Sequence, residues 1–227
     1  MKKETKKNAP DTERGNIVAA ELEKLYPDSA CSLEWGGGDA WRLMVMGRLS
    51  AQCTDARVNI VCRELFDKYP TLSSLADAPL EDIEAIVRPC GLYRTKAASI
   101  KAACIKLRDE YGGELPRDVD LLCEFPGVGR KIANLLLGDV FGIPGIVADT
   151  HCIRICGRLG MYPEQEKSPD KIEKILRELL PAGHGSDFCH RIVLFGREVC
   201  TARSPRCVEC PLSDLCEHIN RYNKEDK

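Results

Sequence analysis

The chain has 227 residues, 33 lysines and arginines against 35 aspartates and glutamates, a formal net charge of −2 and 44% hydrophobic residues. That length supports one large domain or two small ones with real apolar cores, and no stretch approaches the continuous apolar length that spans a bilayer. The charge balance excludes nucleic-acid binding by bulk electrostatics, so any such face must come from local clusters of arginine and lysine. The thirteen cysteines are an odd count, most of them set in apolar helical patterns. In a chain of this length that speaks against a disulfide framework and for reduced thiols or metal ligation.

The basic start, Met1–Lys7, is followed by no apolar core or small-residue cleavage site, so it reads as a solvated tail rather than a signal peptide. The expectation is a soluble, cytoplasmic protein with no membrane contact, nucleoid-associated if bacterial. Helical periodicity then begins with Val58, Val61, Cys62 and Leu65. Pro79 stands where the first residue of a helix belongs. The segment from Leu121 to Ala133 places two helical pieces around a tight turn, Pro126-Gly127-Val128-Gly129-Arg130. Glycines there permit positive φ and let backbone N–H groups converge at the start of the next helix, where unpaired amides and the helix dipole favour a phosphate. An ordinary helix–turn–helix corner would read the same way. A Walker A loop is excluded, because the longer glycine spacing and the Lys-Ser/Thr ending are missing.

Lys131 falls in the first turn of the following helix, beside an apolar stripe of Ile132, Leu135, Leu136 and Val140. A cation at a helix N-terminus is electrostatically unfavourable, which eases loss of its proton and suits an amine nucleophile that forms a Schiff base with a sugar carbon. The plainer alternative is a surface lysine contacting phosphate. Ile143–Val147 is interrupted by proline and glycine and reads as a connector. Asp149-Thr150-His151 then opens a helix with the stripe Cys152, Ile155, Cys156 and Leu159. Asp149 sits at the cap, where its carboxylate can accept backbone N–H bonds and stay ionised beside an attacking amine. His151 suits either a capping turn or a DNA contact. Ser168 and Pro169 start a further helix through Ile172, Ile175, Leu176 and Leu179, and Phe188, Ile192, Phe195 and Val199 mark another. No segment alternates with period two, so the fold is all-α.

Cys200, Cys207, Cys210 and Cys216 form Cys-x6-Cys-x2-Cys-x5-Cys within seventeen residues. Four exposed unligated thiols would be an oxidation hazard, so the group is a metal site. Zinc and a [4Fe–4S] cluster both accept four cysteines, and spacing alone leans to zinc as the commoner structural metal. Between the first two cysteines, the loop bearing Arg203 and Arg206 holds no acid and could meet phosphate or simply be solvated.

These residues together resemble the endonuclease III family of helix-hairpin-helix DNA glycosylases, from about Leu33 to Cys216. Leu49-Ser50-Ala51-Gln52-Cys53-Thr54-Asp55 resembles the family's Leu-Ser-Ala-Gln-x-Thr-Asp, and Gly91-Leu92-Tyr93-x-x-Lys96-Ala97 its Gly-Leu-Tyr-x-x-Lys-Ala. The hairpin, the Asp-Thr-His triplet and the cysteine spacing follow in family order. The resemblance implies two helical domains flanking a DNA-binding cleft. One is a six-helix barrel with the helix-hairpin-helix over 33–143; the other, 1–32 with 144–227, holds a [4Fe–4S] cluster, which displaces the zinc reading.

The resemblance also implies a bifunctional glycosylase and AP lyase that acts as a monomer on double-stranded DNA containing damaged bases or abasic sites. Lys131 would displace an oxidised pyrimidine through a Schiff base and cut the strand by β-elimination, with Asp149 in support. Gln52 and Leu92 would fill the gap left by the extruded nucleotide, and the hairpin residues Gly127, Val128, Gly129 and Arg130, with His151, Arg203 and Arg206, would contact DNA. The alternatives are a preference for pyrimidine dimers or abasic sites, or a non-catalytic iron–sulfur DNA-binding module. Lys131 separates the chain from adenine-specific mismatch glycosylases, which lack a lysine there. Two departures stand out. Ala148 occupies a usual valine position, and Gly47-Arg48 interrupts a normally apolar helix. On a regular helix through Gln52, Arg48 would share a face with Gln52 and Asp55, either ion-paired to Asp55 or reading the extruded base.

Overall fold

The computed structural model describes residues 12–219, so the basic Met1–Lys7 segment lies outside the described residues. The described residues form α1 (Thr12–Leu25), α2 (Ala40–Leu49), α3 (Asp55–Lys68), α4 (Leu72–Asp77), α5 (Leu80–Val87) and α6 (Tyr93–Tyr111). They continue with α7 (Val119–Cys123), α8 (Arg130–Phe141), α9 (Thr150–Arg158), α10 (Pro169–Leu179) and α11 (Gly185–Glu198), and short 3-10 turns complete the set. No strand occurs among the described residues, and no helix among them is long and apolar enough to cross a membrane. The chain divides into two compact units, Cys31–Ile143 and Met1–Ala30 with Pro144–Lys227.

In the Cys31–Ile143 unit, the stripe read on α3 is the stripe it buries: Val58, Val61, Cys62 and Leu65 are all inside. The long α6 packs against α2, α4 and α5 through Ala97, Ile100, Ala103, Cys104 and Leu107. Each fully buried leucine, isoleucine or valine side chain here contributes roughly 1.5–3 kcal/mol. Thr71 starts α4 with a capping box, its hydroxyl accepting from the Ser74 amide at 3.1 Å while Ser74 Oγ accepts from the Thr71 amide at 3.0 Å. Pro79 is the N-cap of α5 rather than its first residue. Helix α2 runs unbroken through Gly47 and Arg48. A side chain at Gly47 would approach Ile132 Cγ2 at 3.1 Å, so the glycine lets α2 lie close to α8. The apolar stripe of α8 is also rotated from the expected one. Ala133, Leu136 and Leu137 are buried, while Ile132, Leu135 and Val140 are half-covered, because the helix is packed on more than one side.

In the other unit, α1 contributes Val18 and Leu22, α9 Cys152, Ile155 and Cys156, α10 Ile172 and Leu176, and α11 Phe188, Ile192 and Phe195. Gly15 lets α1 touch the backbone of α10, since a Cβ there would collide with the Leu179 carbonyl. Pro169 is the first residue of α10, as its chemistry favours, but Ser168 makes no side-chain cap. Instead Glu166 Oε1 accepts the amides of Lys167 and Ser168 at 3.0 and 2.9 Å. No regular element lies between α8 and α9, consistent with the connector, and Ala148 packs half-buried against this core.

Candidate active site and metal centre

Lys131 is exposed on the first turn of α8. The turn before it has one glycine in the left-handed region, Gly127 at φ +80, where a side chain would be strained. Gly129 does not share that conformation: at φ −102 and ψ 176 it is the extended N-cap of α8, with open space where a Cβ would project. The amides of Gly127, Gly129 and Lys131 donate to no carbonyl among the described residues, which leaves three N–H groups along the turn available to an anion. Val128 departs from its expected DNA-contact role. It is 5% exposed and its N–H donates to the Phe125 carbonyl at 3.0 Å, so both side chain and amide are committed to the core. Arg130 lies at the surface, 3.8 Å from Asp120.

Gln52 and Leu92 are both exposed and belong to the same unit. Gln52, at φ 55, occupies a turn between α2 and α3, and Leu92, at φ 48, is the N-cap of α6. They are the non-glycine residues with positive φ among the described residues. The left-handed region costs an L-residue about 1–2 kcal/mol, and strain of this kind concentrates at functional turns. Leu92 also leaves 62% of its surface in water, a largely exposed apolar side chain.

The helix through Gln52 is therefore not regular, which removes the geometry expected of Arg48. Arg48 is not paired with Asp55. Its Nε donates to Ser99 Oγ at 2.8 Å, whereas Asp55 Oδ2 accepts from Ser32 Oγ at 2.5 Å.

In the other unit, Asp149 caps α9, Oδ1 accepting the Cys152 amide at 2.7 Å. His151 is half-buried, with Nδ1 3.3 Å from Arg154 Nη2 and against Gly196, where a side chain would overlap the ring. The four cysteines line one hollow together with Arg158 and Arg206. Burial and the neighbouring thiols raise Cys207 and Cys210 above the ordinary thiol range, so four thiolates here call for a cationic centre to share their charge. Among the described residues no group of three or more His, Cys, Asp or Glu converges on a single-ion site. Four cysteines lining one hollow can supply one sulfur to each iron of a four-iron cluster. Arg203 and Arg206 project from the loop, exposed and without an ion pair among the described residues.

A family profile described as HhH-GPD superfamily base excision DNA repair protein matches residues 45–182, and one described as the iron-sulfur binding domain of endonuclease III matches residues 200–216. Endonuclease III of Bacillus subtilis (strain 168) is 41% identical over 205 residues, covering 90% of this chain and 92% of that protein. The chain belongs to the endonuclease III family. Two solved structures carry the likeness into three dimensions. A non-covalent endonuclease III–DNA complex is 40% identical at a TM-score of 0.87, covering 94% of this chain and 98% of that one. A trapped endonuclease III–DNA covalent intermediate matches at the same identity and TM-score over 93% and 98%. The chain is thus a base-excision-repair DNA glycosylase with AP lyase activity, its partner is DNA, and it carries a [4Fe–4S] cluster.

Sequence reasoning missed the anchors of the cluster loop. Arg158 Nη1 donates to the Thr201 carbonyl at 2.9 Å and approaches Cys200 Sγ at 3.4 Å, Arg158 Nη2 reaches the Ala202 carbonyl at 3.2 Å, and Arg154 Nη2 donates to the Cys200 carbonyl at 2.9 Å. The signal was present: Arg154 and Arg158 recur four residues apart on α9, off its apolar stripe. Lys96 was missed too. It was read only as a motif letter, yet it is fully buried.

Proposed function

We propose that Lys131 is the nucleophile with which this endonuclease III family member removes oxidised pyrimidines and nicks the strand. The supporting observation is an exposed amine on the first turn of α8, directly after a turn whose Gly127, Gly129 and Lys131 amides donate to no carbonyl among the described residues. Those amides hold a backbone phosphate and so bring the adjoining sugar to Lys131. Nζ, as the free amine, attacks C1′ and the damaged base departs with the bonding electron pair. The sugar ring then opens to a Schiff base, a C2′ proton is removed, and the 3′ phosphate leaves by β-elimination. Water hydrolyses the imine and restores the lysine.

Asp149 supports this step. Its Oδ1 is fixed by the Cys152 amide, which orients the carboxylate, and Oδ2 is uncommitted among the described residues. A fixed negative charge stabilises the positive sugar of the transition state. The base must leave the stack before C1′ can be reached, and Gln52 and Leu92 fill the gap. Gly127, Gly129 and Arg130 of the hairpin, with His151, Arg203 and Arg206, contact the DNA, and Cys200, Cys207, Cys210 and Cys216 ligate the cluster, which holds the Arg203–Arg206 loop in shape. The chain acts as a monomer on duplexes with damaged bases or abasic sites, in the reducing cytoplasm that its thiols suit.

A single-turnover panel of duplexes bearing thymine glycol, 5-hydroxycytosine, dihydrouracil, a pyrimidine dimer or an abasic site tests the substrate class. Faster release of the oxidised pyrimidines than of the dimer supports the reading. Cleavage confined to dimers or to abasic sites contradicts it.

A further inference from the structure

The Gln52 and Leu92 turns are held from beneath by one side chain. Lys96, 0% exposed, donates from Nζ to the Leu49 carbonyl at 2.9 Å and to the Cys90 carbonyl at 2.7 Å. Leu49 ends α2 three residues before Gln52, and Cys90 ends a 3-10 turn two residues before Leu92. Desolvation lowers the pKa of this ammonium, so the fold retains it at an electrostatic penalty. A site that needed only volume would be filled more stably by methionine or leucine.

The polar contacts continue toward the hairpin. Ser99 Oγ donates to the Lys96 carbonyl at 2.9 Å and accepts from Arg48 Nε at 2.8 Å. Arg48 Nε and Cδ in turn occupy the space of a side chain at Gly127, 2.6 and 2.7 Å from where its Cβ would lie. Ser99 thus ties Arg48, and with it the Gly127 turn, to the backbone of α6, while Lys96 Nζ holds the turns that carry Gln52 and Leu92. All of it lies within the Cys31–Ile143 unit.

We propose that Lys96 is a positioning residue for nucleotide extrusion: its Nζ fixes the Gln52 and Leu92 turns relative to each other. The inference rests on the gap-filling roles proposed for Gln52 and Leu92. Lys96 touches no reacting atom. Its carbonyl acceptors, not the DNA, are what it holds, and both turns must be in register for two side chains to enter one gap. Loss of that register lowers the rate only where a stacked, paired base has to be replaced.

The test compares two substrates in single turnover: thymine glycol paired in duplex DNA, and an abasic site in single-stranded DNA, where no stack has to be filled. Lys96→Met is expected to slow excision from the duplex by about 10- to 100-fold, the range for misplaced positioning groups. Cleavage at the single-stranded abasic site should change by less than about twofold, because a general loss of fold would slow both substrates alike. Lys96→Gln, whose shorter amide can donate to no more than part of what Nζ holds, serves if Lys96→Met does not fold; it should give a smaller loss with the same duplex selectivity. Equal losses on both substrates, or no loss on the duplex, overturn the inference. Gln52→Ala and Leu92→Ala separate the two layers. If they are duplex-selective while the Lys96 variants are not, the positioning role alone fails; if they are not duplex-selective, the gap-filling reading fails and takes the inference with it.

Discussion

Arg48 and Gly127 occupy one volume: the arginine's Nε and Cδ lie where the first side-chain carbon at Gly127 would have to be. Gly127 also sits at φ +80, so two independent constraints demand glycine. Gly127→Ala should therefore lower stability to urea by about 1–3 kcal/mol through backbone strain and displaced Arg48. Gly129→Ala meets open space at an extended backbone and should lose less than about 1 kcal/mol. Equal losses at the two glycines would show that Arg48 does not support the turn.

Asp149 combines a cap with a charge, and two substitutions separate them. Asp149→Asn keeps a side-chain oxygen for the Cys152 amide and should leave thermal stability nearly unchanged, while Asp149→Ala should cost about 1 kcal/mol. Both should slow base release strongly, since both remove the negative charge. Base release by Asp149→Asn at the unsubstituted rate would reduce the residue to a helix cap.

Arg158 holds the cluster loop by the carbonyls of Thr201 and Ala202. Arg158→Leu should shorten the lifetime of the cluster under an iron chelator by about tenfold or more, the scale of other outer-shell losses at metal sites. The visible absorbance of the cluster follows the loss directly. An unchanged lifetime would mean that the cysteines alone retain the iron.

The loop between Cys200 and Cys207 presents Arg203 and Arg206 to solvent. If both meet phosphate, Arg203→Ala with Arg206→Ala should reduce the slope of log K against log salt by about 1.8, near 0.9 for each contact. A slope that does not move would remove this loop from the interface.

Much of this was legible in the residues because the signals are local. The helix stripes on α3 and α11, the connector before Asp149, the cap role of Asp149 and the cysteine spacing each depend on neighbours a few positions away. What escaped depends on contacts distant in sequence. Lys96 reaches carbonyls 47 and 6 residues away, and Arg158 reaches Thr201 across 43. A regular helix through Gln52 would put Arg48 on one face with Asp55, as its ion-pair partner or as a reader of the extruded base. The positive φ of Gln52 breaks that helix, and the true partner, Ser99, comes from another helix 51 residues on. Val128 escaped for a related reason: a residue flanked by two glycines in a turn proposed to meet DNA can still turn its side chain into the core.

The covalent bond proposed between Lys131 and DNA can be trapped directly. Borohydride added during turnover on a thymine glycol duplex reduces the Schiff base to a stable amine, and peptide mapping of the trapped adduct locates it. A single adduct at Lys131 is expected, and none with Lys131→Ala under conditions where that variant still binds the duplex. Trapping by Lys131→Ala at the unsubstituted rate, or an adduct mapped to another amine, would contradict it.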